Sequence, residues 1–193
     1  MTKEALTRVE PAVSLGMVHV TNPIELLAKA ADIATQLSKV IKDKKLYKRI
    51  GDKDHVYCDG WTALIAMLGV TAHERETREI EGGVFVSTVE LVTIRDGAVV
   101  GRASAQCGGP DEPDWHERPK YKWIDGEHGR EKILESMEPV SANARRSMAQ
   151  TRATSKACRL AFSWIMVLAD YDPTPAEEAE RMPGLAEERE QRR

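Results

Sequence analysis

One stretch of this chain admits few folds. From Pro139 to Ala169 it holds five cations, Arg145, Arg146, Arg152, Lys156 and Arg159, and no acidic residue. The pattern over Ser141 to Ala169 is that of one long helix, which Pro173 and Pro175 close off. At ~100° per residue, Arg145, Arg152, Lys156 and Arg159 fall in a stripe about 60° wide, with Arg146 on its flank. Ala149, Ala153, Ala157 and Ala161 repeat every four residues along another face, where Leu160, Trp164 and Leu168 join them. Two constraints follow. An alanine ridge lets a neighbouring element approach closely, so the helix needs a surface of small residues to lie on. A stripe of one sign repels itself by roughly a few tenths of a kcal/mol per like pair. A merely solvated helix face mixes signs, so something outside this helix must offset the repulsion.

The small-residue surface is in the sequence. Val84 to Ile94 is rich in Val, Thr, Ile and Phe and reads as the strongest strand. Asp96-Gly97 is a hairpin turn, and Ala98 to Cys107 is the returning strand. There Val99, Gly101, Ala103, Ala105 and Cys107 share one face. Val70 to Ile80 is polar on both faces and reads as an edge strand ahead of a Glu81-Gly82-Gly83 turn. The expected fold class is therefore α+β: an antiparallel β-meander packed against a long basic helix, a β-β-β-α core, preceded by an N-terminal helix. That first helix starts at Asn22-Pro23 with Glu25 completing a capping box. Ile24, Leu27, Ala31, Ala34, Leu37 and Ile41 recur at helical spacing, and the helix ends near Lys42. It closes in a basic cluster of Lys42, Lys44, Lys45, Lys48 and Arg49, which suits the negative end of the macrodipole. A short extended piece, His55 to Cys58, leads into a compact helix over Asp59 to Gly69, with Asp59 as cap, Gly69 as stop, and Trp61, Leu64, Ile65 and Leu68 buried. Residues 1–21 show no period and read as a flexible N-terminus, 22–169 as the core, and 170–193 as an acidic flexible tail. Gly108 to Ser136 reads as a polar insertion, either a long functional loop or a poorly ordered one.

At 193 residues the chain suits one domain. Its formal net charge of −3 excludes a polybasic, histone-like binder on bulk charge. That total averages a basic helix with a tail of eight acids and four cations from Asp170 to Arg193. Three widely spaced cysteines, Cys58, Cys107 and Cys158, suit a reducing compartment rather than a disulfide framework. The first residues lack signal-peptide order, and Leu160 to Ala169 is about half of what a membrane span needs, so a cytoplasmic protein without membrane contact is expected. An exposed basic stripe favours a polyanion, because neutralising phosphates releases counterions without reading sequence. Enzymatic readings have less behind them. No phosphate loop implies ATP. Cys58, Cys107, His55 and His116 lack zinc-ligand spacing. Glu90, Asp96 and the acids of 111–114 could serve a metal nuclease, but no lysine stands at a matching spacing. Cys158 beside Arg159 is either a packed thiol or one with a lowered pKa. No catalytic residue, metal or cofactor is expected.

Two segments carry a resemblance. Val56-Tyr57-Cys58-Asp59-Gly60-Trp61 places an aromatic, an acid and a glycine at the opening of a helix. Thr151-Arg152-Ala153-Thr154-Ser155-Lys156-Ala157-Cys158-Arg159 looks like a Thr-xxx-basic-basic-Ala-x-Arg helix. Together with the order of elements they resemble the single-strand annealing superfamily typified by the eukaryotic Rad-fifty-two recombination protein, which includes phage annealing proteins and the bacterial DdrA group. The run Ser147 to Ala153, followed by Pro173, Pro175 and Glu177-Glu178, looks most like the phage branch. The resemblance spans residues 40–170. It implies ATP-independent binding and annealing of single-stranded DNA in recombination or repair. It also implies assembly into rings or filaments, and work beside an exonuclease or a single-strand binding protein. Lys156 and Arg159 fall on the family's DNA-groove positions. The position before Lys156, often basic there, is Ser155, and Arg152 stands one turn earlier on the stripe. Lys48 or Arg49 matches a further basic position. The DNA-binding candidates are thus Arg145, Arg146, Arg152, Lys156, Arg159, Lys48 and Arg49. The alternative is a non-enzymatic DNA-end-binding or recruiting factor on the same fold, with the acidic tail as its docking segment.

Overall fold

The computed structural model describes residues 13–15, 18–20, 22–110, 112–126 and 129–180. Two three-residue strands, β1 (Val13–Leu15) and β2 (Val18–Val20), pair antiparallel where the sequence showed no period. The rest of the expected flexible N-terminus lies outside the described residues. Helix α1 (Pro23–Lys44) begins as expected, with the Asn22 side chain accepting from the Glu25 N–H at 2.9 Å. It ends at Lys44, two residues later than expected, and Lys45 caps it in a left-handed conformation. Ala30, Ala34, Leu37 and Ile41 are its buried residues, while Ile24 and Leu27 point outward. A tight hairpin follows, β3 (Tyr47–Ile50) against β4 (Lys53–Val56); the expected extended piece, His55 to Cys58, overlaps it only at His55 and Val56.

Helix α2 (Cys58–Met67) buries Trp61, Leu64, Ile65 and Leu68, the expected stripe. Its start differs from expectation. Asp59 lies inside the helix, Tyr57 stands at the cap with no side-chain bond, and Glu177 accepts from the Cys58 N–H at 2.8 Å. Gly60 sits against β4, where a Cβ would fall 2.3 Å from Val56 Cγ1. Val56 is fully buried and stiff at χ1, so it cannot swing away. Gly60→Ala is expected to destabilise the fold by about 1–3 kcal/mol through overpacking, against a helix-propensity gain of about 1 kcal/mol. A lowered urea midpoint at unchanged slope would show it.

The meander is as expected. β5 (Val70–Ile80), β6 (Val84–Thr93) and β7 (Val99–Cys107) pair antiparallel in that order, with β5 and β7 at the edges. The β6–β7 turn holds Gly97 at φ +72°, and Asp96 accepts from the Thr93 hydroxyl. After β7 the chain forms a single helical turn, α3 (Pro113–His116). Two long strands follow, β8 (Glu117–Gly126) and β9 (Gly129–Pro139), which pair only with each other. The insertion is thus neither a loop nor poorly ordered along these strands. It is a hairpin arm that leaves Tyr121, Trp123, Leu134 and Met137 exposed.

Helix α4 (Ala142–Leu168) starts at Ser141, whose hydroxyl caps the Ala144 N–H at 3.2 Å. It packs on β6 and β7 and against α1 and α2. The alanine ridge meets the small-residue strand: a Cβ on Gly101 would lie 3.4 Å from Ala161 Cβ and 3.7 Å from the Ala157 carbonyl. Leu160, Trp164 and Leu168 do not join that ridge. They are exposed, and Phe162, Ile165 and Met166 fill the core in their place. The helix breaks its dihedral pattern at Phe162, φ −135°, which re-aims its last turns.

Residues 170–180 are not a flexible tail. Asp170 at φ +65° turns the chain back, and Tyr171 enters the core beside Tyr47, ring centroids 5.8 Å apart. Asp172 receives an ion pair from Lys53 at 2.9 Å, and its N–H donates to the Asp54 carbonyl. The chain then forms α5 (Ala176–Ala179), with Pro175, Ala176 and Ala179 buried. The remainder of the tail, 181–193, lies outside the described residues.

Candidate nucleic-acid interface

β7 is a sheet edge, so alternate backbone groups along it have no strand to pair with. Helix α4 crosses beside that edge, and between them lies a cleft of about 490 Å³. Val86 of β6 and Ser104, Ala105 and Gln106 of β7 line it from the sheet, Arg152, Lys156 and Arg159 from α4, and Glu178 from α5. Three of the seven candidate cations therefore converge on one groove.

They do not converge as equals. Arg152 is only 3% exposed, which overturns the expectation of a uniformly exposed stripe. Its Nη1 donates to the Glu112 carboxylate at 2.9 and 3.0 Å and to the Gln106 carbonyl at 2.9 Å. Its guanidinium also lies 5.6 Å from the Trp115 ring centroid. Arg152 thus locks the β7 edge to the turn that opens the hairpin arm. Lys156 is half-buried on the groove wall and has no ion-pair partner among the described residues. Arg159 is half-buried and pairs with Glu178 at 3.1 Å.

The other four stand apart from the cleft. Arg145 lies over Phe85, 6.0 Å from its ring centroid, in a cradle of Gly83 and Gly108. A Cβ on either glycine would come within 2.8 Å of the Arg145 side chain, and both glycines hold positive φ. Arg146 is exposed, and its charge adds to the Thr77 and Gln150 hydrogen bonds that hold the Glu74 carboxyl below its usual range. Arg49 pairs with Asp54 at 3.5 Å and donates to the Asp52 carbonyl at 3.0 Å. Lys48 points to the C-terminal segment, where it pairs with Glu180.

The remaining chemical candidates are occupied elsewhere. Glu90 is held between Arg75 and Arg102 on the outer sheet face, and Asp96 is engaged in its turn. Burial pushes the Cys58 thiol up to about 11 and raises that of Cys158 as well, so both are packed thiols rather than nucleophiles. Among the described residues no three His, Cys, Asp or Glu side chains are placed to hold a metal ion, and no helix is long and apolar enough to cross a membrane.

Sequence reasoning missed the acids that face these cations. Glu177 accepts from Cys58 N–H and from the Ser155 hydroxyl at 3.3 Å, and burial raises its carboxyl pKa. Glu178 and Glu180 then reach Arg159 and Lys48. The signal was the capping-box pattern Thr174 to Glu177, but the carboxylate it contains caps α2 rather than its own helix. The chain matches no family model, no curated protein and no solved structure.

Proposed function

We propose that this chain binds single-stranded DNA and anneals complementary strands without ATP, in phage-encoded homologous recombination or repair. The observation that carries this reading is the groove between the β7 edge and α4, with Lys156 and Arg159 on one wall. Its action is positional rather than enzymatic. Cations neutralise phosphates, the edge backbone of β7 offers polar groups along the same path, and two strands meet with their repulsion reduced. A cytoplasmic ring or filament, and an exonuclease or single-strand binding protein as partner, belong to this proposal through the family resemblance alone.

If about five phosphates meet each protomer, binding of a fluorescent oligothymidine falls with salt at a log–log slope near −3.5. Fluorescence anisotropy across a salt series measures it, and annealing of labelled complementary oligonucleotides tests the activity itself. A flat salt profile, or binding to duplex and single strand alike with no annealing, would overturn the assignment. The exposed apolar face of the β8–β9 arm favours one other reading, a DNA-end-binding or recruiting factor that docks a protein partner. That factor binds strands without pairing them, so the annealing assay separates the two.

A further inference from the structure

The acids of the C-terminal segment lie where a bound strand would need its cations. Glu178 holds Arg159 on the groove wall, and Glu180 holds Lys48, a candidate strand contact on β3 outside the cleft. We infer that these two carboxylates are a built-in competitor: they occupy the strand-binding cations until the phosphates of single-stranded DNA displace them. This rests on the reading of the groove as a nucleic-acid site and adds a regulatory contact to it.

The segment is built in two parts that differ in how easily they let go. Its anchors are buried. Tyr171 is in the core, Pro175, Ala176 and Ala179 are covered, Glu177 caps α2, and Asp172 pairs with Lys53 beside the buried His55, whose Nδ1 lies 2.9 Å from the Thr174 carbonyl. Releasing those would expose apolar surface and orphan the first N–H of α2. The two exchangeable carboxylates are different. Their side chains keep 21% and 35% of their surface exposed, and their partners 30% and 39%. Ion pairs this open are weak and screened by salt. They can swing away while α5 stays docked, so the exchange is a side-chain event and needs no unfolding.

The groove also supplies a first foothold. Lys156 faces the same cleft as Arg159 and has no ion-pair partner among the described residues. One phosphate can settle on Lys156 before Glu178 moves. A neighbouring phosphate on the same strand then competes with Glu178 for Arg159 at high local concentration. A single free phosphate lacks that second step, so the device favours a polyanion over a small anion.

The experiment uses the full chain and the same labelled oligothymidine. The variant Glu178→Gln with Glu180→Gln keeps the side-chain shapes and leaves Glu177 in place. It is expected to bind about tenfold more tightly at moderate salt, since two partly exposed pairs no longer have to be broken. Its log–log salt slope stays near that of the wild type, because the same phosphates are neutralised once the carboxylates have been displaced. The control Glu79→Gln with Glu131→Gln makes the same change in net charge at exposed sites away from the groove. It is expected to change affinity by less than about twofold, as screened distant charges do. Glu178→Gln and Glu180→Gln each give part of the gain, and thermal melts verify that all variants fold. Binding by the Glu178→Gln, Glu180→Gln variant no tighter than by the control overturns the competitor while leaving the nucleic-acid reading intact. Absence of salt-dependent binding by the wild-type chain and both pairs overturns that reading, and the competitor with it.

Discussion

Lys156→Glu combined with Arg159→Glu is expected to fold and to lose strand annealing. The two substitutions remove two cations from one wall of the cleft and put two anions there, beside Glu178. Each lost phosphate contact lowers the salt slope by about 0.7, so the pair flattens it by about 1.4. Repulsion of the strand adds to the loss, and affinity is expected to fall about 100-fold or more at moderate salt. The fold should survive because neither side chain is in the core, and α5 is held by Pro175, Ala176 and Ala179 rather than by Arg159. Circular dichroism melts check that point. Undiminished annealing of fluorescent complementary oligonucleotides by a folded double variant would sink the functional assignment.

The frame of this fold is legible because its signals are local. Asn22-Pro23 and Ser141 mark helix starts by their own side chains, and Asp96-Gly97 closes the hairpin by its own backbone. The contact between α4 and β7 is legible for a related reason. Ala157, Ala161 and Gly101 are small residues that make sense only if something lies close, and each element names the other. The β8–β9 arm was hidden because neither strand alternates apolar and polar residues against a core, and Pro119 argues against a strand. The arm touches no sheet that would impose such a pattern. β3 was hidden because four residues, two of them cationic, carry too little pattern to separate from the end of α1.

At the site, sequence spacing put Arg145, Arg152, Lys156 and Arg159 on one face; the last three meet in the cleft, while Arg145 lies over Phe85. It could not say what that face meets. Whether a cation on a helix is exposed depends on the loop that passes over it, and Glu112 reaches Arg152 from 40 residues away. The tail misled in the same way. Its charge suggested a solvated end, yet Tyr171, Pro175, Ala176 and Ala179 bury enough surface to seat it. Its acids then answer the question raised by the unopposed stripe. The offset to the like-charge repulsion on α4 comes from Glu112 and Glu178, both outside the helix.

Arg152→Ala is expected to cost about 3–5 kcal/mol of stability, because it leaves the Glu112 carboxylate buried without its counter-charge. Both side chains are nearly covered, at 4% and 8% exposure. The substitution also frees the Gln106 carbonyl at the sheet edge and removes the guanidinium from the Trp115 ring. Glu112 has a second duty, accepting from the buried Gly108 N–H at 3.0 Å, so it cannot simply become apolar. The compensating variant is therefore Arg152→Met with Glu112→Gln, which keeps an acceptor for Gly108 and removes both charges together. Replacing a buried pair as a unit avoids the orphaned charge, so this double variant should recover at least half of the loss in urea denaturation. The same protein separates a structural arginine from a strand contact. The Arg152–Glu112 pair is electrically neutral, so deleting it leaves the groove with Lys156 and Arg159 and an unchanged salt slope. A slope flattened by about 0.7, the value of one lost phosphate contact, would instead make Arg152 a phosphate contact and assign its pairing with Glu112 to the unbound state.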